Sequence, residues 1–98
     1  MPWPSDLPLY NFNEFSILLN ARPEYGVYAL IDASGQPILI DAGSILTDLR
    51  RLRERDEREF GDRPPVSFSY MVAPMEEAIA LKKKFNDELA TKKMARGA

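Results

Sequence analysis

The sequence predicts a small α+β domain, in which a three-stranded, mainly antiparallel sheet packs with helices. Three observations predict it. Val27, Ala29 and Ile31 alternate with Tyr28 and Leu30, and Val66, Phe68, Tyr70 and Val72 alternate with Ser67, Ser69 and Met71, the period of strands. Ile45, Leu46, Leu49 and Leu52, then Ala78, Leu81, Phe85 and Leu89, recur at helical spacing. The 98 residues suffice for one core of a few packed elements, and no linker divides them.

The elements follow in the order helix, strand, strand, helix, strand, helix. Asn11 reads as an N-cap, with Glu14 three positions on as in a capping box. Phe12, Phe15, Leu18 and Leu19 then form the apolar face of a short amphipathic helix that Pro23 ends. The stretches GVYALID and PILID, joined by ASGQ, read as a hairpin. Ser44 is the expected N-cap of the second helix, whose later, alternately signed residues 53–59 either continue it or fray. GDRPP breaks the chain, and VSFSYMV follows as a third strand with one buried face. Pro74 opens the last helix, with Glu76 and Glu77 in the first turn, where the helix dipole favours acids. Val27, Ala29, Leu49, Leu52, Phe68, Tyr70, Leu81 and Phe85 are the expected core. Residues 1–23 are read as leader and short helix, 24–90 as the core of the domain and 91–98 as a tail.

Composition excludes several chemistries. With neither cysteine nor histidine, thiolate nucleophiles, imidazole bases and ordinary zinc sites are ruled out. Any catalysis falls to Tyr, Ser, Thr, Lys, Arg or carboxylates. Thirteen basic residues against fifteen acidic ones give a net charge of −2, so no global positive field draws in nucleic acid. No apolar run approaches the roughly 20 residues that span a bilayer. MPWPSD has neither the basic nor the apolar region of a secretory signal, and the cytoplasm is the expected location.

GVYALIDASGQPILI, the arginine-rich helix after it, FSYMV and EEAIALKKKF together resemble a GIY-YIG domain from about Tyr25 to Leu89. The resemblance implies metal-assisted phosphodiester hydrolysis. In that family a first tyrosine helps to activate the nucleophile, a second tyrosine and a helix arginine act around the phosphate, and a glutamate holds the divalent ion. Tyr28 matches the first tyrosine. The second falls on Leu39, with Asp41 at the motif's closing glycine; ten residues lie between Tyr28 and Leu39, a spacing typical of the family. The arginine position falls on Leu49, with Arg50 one step away and Arg53 reachable with a gap. The glutamate falls on Lys82, which places a positive charge where a cation must bind. The resemblance therefore leaves Tyr28 as a remnant, and no metal or cofactor is expected.

Each candidate has a plainer reading. Tyr28 reads first as a strand residue packed against a helix. Arg50, Arg51 and Arg53 read as a solvated face balanced by Glu54, Asp56, Glu57 and Glu59, and Lys82, Lys83 and Lys84 as an exposed face. Asp32 and Asp41 form a conceivable metal pair, but aspartate is at home in turns and caps. The first functional expectation is a catalytically inactive binding or assembly module, its partner a second copy or another protein. The contact is expected at an unpaired sheet edge or an apolar surface near Trp3, Tyr10 and Leu39. Trp3, in a proline-rich leader, either packs back on the domain or meets that partner. The second is weak, non-cleaving nucleic-acid binding by Arg50, Arg51, Arg53, Lys82, Lys83 and Lys84, which requires both helices to present cations on one surface. The third is a divergent metal-dependent endonuclease. No membrane partner is expected.

Overall fold

Helices flank both faces of a four-stranded sheet in the computed structural model, which describes residues 3–4, 6–54 and 64–97. The elements are β1 (Tyr10–Asn11), α1 (Glu14–Asn20), β2 (Tyr25–Ile31), β3 (Pro37–Ser44), α2 (Ile45–Glu54), β4 (Ser67–Val72) and α3 (Met75–Gly97). The strands lie in the order β1-β4-β2-β3, and every neighbouring pair is antiparallel. Continuation of α2 beyond Glu54 and the break at Gly61 lie outside the described residues.

The sheet has four strands, not the expected three, because two residues of the leader pair with β4. Tyr10 lies opposite Phe68 and Asn11 opposite Ser67. The same register carried backwards sets Pro8 opposite Tyr70, and proline has no N–H to donate, so β1 ends there. Two residues are too few for an alternation to be read. Asn11 is thereby committed to the sheet, and the cap of α1 is Asn13, whose side-chain oxygen accepts from the Ser16 N–H at 2.8 Å.

The hairpin forms as its sequence implies. Asp32 Oδ1 accepts from the N–H groups of Ser34 and Gln36, and Gly35 takes the left-handed conformation with φ 85° that the turn requires. Strand β2 is central and buried on both faces. Tyr28 and Leu30 point towards α1 and α2, where Ile17, Ala21, Ile45, Leu49, Leu52 and Phe68 complete one core. Val27, Ala29 and Ile31 point towards α3, where Trp3, Ile40 and Phe85 complete the other, with Met71, Leu81 and Leu89 at its margin. Each fully buried aliphatic or aromatic side chain contributes about 1.5–3 kcal/mol. Of the expected core, Tyr70 and Leu81 are half-buried and the rest are buried.

Three further expectations are corrected. Strand β4 is covered on both faces, since Ser69 is fully buried and Met71 half-buried on the α3 side. Helix α3 continues through residues 91–97, in place of the expected tail. Helix α1 is turned the other way round. Phe15, Leu18 and Leu19 are 73%, 52% and 67% exposed, while Ser16 and Ile17 face inwards. The polar groups of α1 explain its orientation. Asn20 Nδ2 donates to the Ser16 carbonyl and hydroxyl, and the Tyr70 hydroxyl donates to the Asn20 carbonyl, which ties the helix end to β4.

Candidate functional site

Tyr28 stands in the middle of the central strand, and its hydroxyl donates to Asp48 Oδ2 at 3.0 Å. Asp48 comes from the first turn of α2, where a negative charge is favoured by the helix dipole. Its carboxylate lies over Gly43 of β3; any Cβ there would overlap it, so the bond needs a glycine at this position. Asp41 is directly across the ladder from Tyr28 and therefore on the same face of the sheet. Lys82, from α3 on the other face, reaches round the outer strand to Asp41 Oδ1 at 2.7 Å. Two strands and two helices thus meet at one polar cluster.

The chemistry of this cluster follows from its electrostatics. Burial raises the pKa of Tyr28 far above that of a free phenol; the nearby carboxylates of Asp41 and Asp48 push it the same way, against a smaller opposing effect from Arg51. Tyr28 is consequently a neutral phenol that donates a hydrogen bond. With 2% of its surface exposed it is a poor candidate for deprotonating a nucleophile. Among the described residues no group of three or more carboxylates could hold a metal ion. Asp32 is engaged in the hairpin turn, away from Asp41, so the two do not form a pair.

The other candidates are dispersed. Leu39 is half-buried and packs against the core beneath α1 and α2, and Leu49 is fully buried. Arg50 lies 3.9 Å from Glu14, and with Arg53, Glu14 and Glu54 it lines a notch of about 240 Å³ between α1 and α2. Arg51 is exposed beside it. Lys83 pairs with Asp87 at 3.6 Å one turn along α3, and Lys84 is exposed. The arginines are carried by α2 and the lysines by α3, on opposite faces of the sheet, although Lys82 reaches round to Asp41 and Arg51 acts on Tyr28 in the same cluster. No family model, curated protein or solved structure matches the chain.

Apolar surface lies in two places, and one of them is near Trp3, where Trp3, Pro4, Leu7, Leu9, Ile31 and Pro37 line a pocket of about 230 Å³. Trp3 is 4% exposed and packs on Phe85, with ring centroids 5.3 Å apart. Tyr10 is half-buried against Phe68 and Tyr70. Besides Leu9 and Val66 near β1, the exposed large apolar side chains among the described residues are Phe15, Leu18 and Leu19 on the outward face of α1, with Val72, Met75 and Ile79 around the β4–α3 junction. The spacing of Phe15, Leu18 and Leu19 shows a helical face but not which way it turns. Asn20, whose side chain bonds inwards to Ser16, was the missed signal.

The two sheet edges also differ. On β3, Asn86 Nδ2 donates to the Ile40 carbonyl, and Asp41 Oδ1 accepts from the Ala42 N–H. With Lys82 on Asp41, the middle of that edge is occupied by the chain itself.

Proposed function

We propose that the chain is a catalytically inactive, GIY-YIG-like module of the cytoplasm that works by binding a protein partner, either another protein or a second copy. The observation that carries this reading is the outward face of α1. Three large apolar side chains one turn apart are held in solvent by a helix whose cap, inward asparagine and bond to Tyr70 fix its orientation. Contiguous exposed apolar surface of this kind marks interaction sites in soluble domains. Loss of activity is supported by Tyr28, a buried and neutral donor, and by Lys82, a cation at the family's metal-binding position. Nucleic-acid binding draws less support because Glu14, Asp41 and Asp87 oppose Arg50, Lys82 and Lys83.

Solution mass tests the reading, measured over a range of protein concentrations with and without an oligonucleotide. A photoreactive residue placed at Phe15 or Leu19 in cells, with one at Lys84 as control, adds the location. We expect protein adducts from the α1 positions, few from the control, and no change of mass with the oligonucleotide. Nucleic-acid adducts, a stable oligonucleotide complex or metal-dependent cleavage would overturn it.

A further inference from the structure

The geometry points to a strand-addition site for an extended peptide on the outer edge of β4, at Tyr70 and Val72. This rests on the interaction reading and names the conformation and chemistry of the partner. The Ala73 N–H donates to the Tyr25 carbonyl of the central strand. With Gly26 opposite Val72, the ladder therefore turns the main-chain groups of Ser67, Ser69, Met71 and Ala73 towards β2, and those of Phe68, Tyr70 and Val72 outwards. On the outer side, β1 covers Phe68, and the Phe12 N–H donates to the Val66 carbonyl. Pro8 then ends the pairing. Among the described residues, no main-chain partner meets the outward groups of Tyr70 and Val72.

Two outward donors and two outward acceptors, two residues apart, are complementary to the main chain of another strand. The surroundings suit its side chains. Val72 is 42% exposed on the α1 side of the sheet, the Tyr70 hydroxyl holds the end of α1 that bears Leu19, and Met75 follows three residues after Val72. The occupant is an extended segment with small apolar residues at alternate positions; main-chain bonds would supply affinity and the apolar side chains selectivity. The β3 edge offers no equivalent, because Asn86 and Asp41 already fill its centre.

Amide exchange on the full chain tests this with a defined probe, an end-capped heptapeptide of alternating threonine and valine between terminal lysines. Its twin, N-methylated at every residue, is the control. We expect the Tyr70 and Val72 amides to exchange rapidly in the dilute protein and to slow by about fivefold or more in a few-millimolar peptide. The N-methylated twin should have no effect. Val72→Pro removes an outward N–H and spares the β2 ladder, and Val72→Lys sets a charge on the edge; both should abolish the response while the helices stay protected. Amides already protected in the dilute monomer, protection confined to β3, or an undiminished response in both variants would overturn the site. Protection that grows with protein concentration alone would make a second copy the occupant and overturn the peptide assignment. Adducts at Phe15 and Leu19 without protection at Tyr70 and Val72 would leave the interaction reading standing and remove this one.

Discussion

At the scale of a residue, the surroundings of Tyr28 decide what its hydroxyl can do. Its hydroxyl closes a hydrogen bond to a carboxylate twenty residues away. That bond could not be read from spacing, because it depends on the gap left at Gly43 and on the turn that brings α2 over β3. Tyr28→Phe should cost about 1–3 kcal/mol at neutral pH, since Asp48 loses a donor in a partly buried place. The pH dependence carries a sign. Folding raises the pKa of Tyr28, so the folded state holds the proton more tightly than the unfolded chain. Its contribution is fully present below the unfolded value near 10 and declines as the pH rises above it. Urea unfolding between neutral pH and about pH 11 should therefore show a shallower alkaline loss in the phenylalanine variant than in the wild type. Equal slopes would mean that Tyr28 ionises as freely folded as unfolded.

At the scale of elements, what the sequence discloses depends on how many residues repeat a pattern. The strands β2 and β4 and the helices α2 and α3 were legible because burial on a fixed period leaves several concordant residues in each. Strand β1 was not, since Tyr10 and Asn11 cannot display a period. Helix α1 was legible as a helix but not in its facing, because Ser16 and Asn20 bond to one another and can sit inwards without penalty. The cap distinguishes the two accounts directly. Asn13→Ala should cost about 1 kcal/mol in thermal or urea unfolding, whereas Asn11→Ala should lack that capping loss. A larger loss at Asn11 would restore the capping box read from the sequence. On the opposite edge, Asn86→Ala leaves the Ile40 carbonyl without its side-chain donor. A loss of about 0.5–1.5 kcal/mol is expected, with light scattering that rises with concentration as β3 becomes open to pairing. Unchanged scattering would mean that Lys82 and Asp41 guard the edge unaided.

At the scale of the whole molecule, a sheet with helices on both faces decides where its charges can act together. The sequence supplies two basic runs, and only the layering tells whether they converge. Arg50, Arg51 and Arg53 belong to the α2 layer and Lys82, Lys83 and Lys84 to the α3 layer behind the sheet, from which Lys82 alone is shown to reach round to Asp41. Carboxylates further oppose Arg50, Lys82 and Lys83 through Glu14, Asp41 and Asp87. A duplex lying on one face would meet one run, and each neutralised phosphate adds about 0.9 to the slope of log affinity against log salt. Three cations thus set a ceiling near 2.7, roughly, and their partial pairing keeps the observed slope below it. Affinity at physiological salt should be no tighter than about 10 μM, within the range of non-specific contacts. Charge reversal separates this account from a shared basic surface. Arg50→Glu with Arg53→Glu should change oligonucleotide binding little, as should Lys83→Glu with Lys84→Glu, and combining all four should bring no further loss beyond the sum. Fluorescence anisotropy over a salt series measures each quantity. Submicromolar binding with a slope above about 4, abolished by either pair alone, would require both runs to engage one nucleic acid and would contradict the layering.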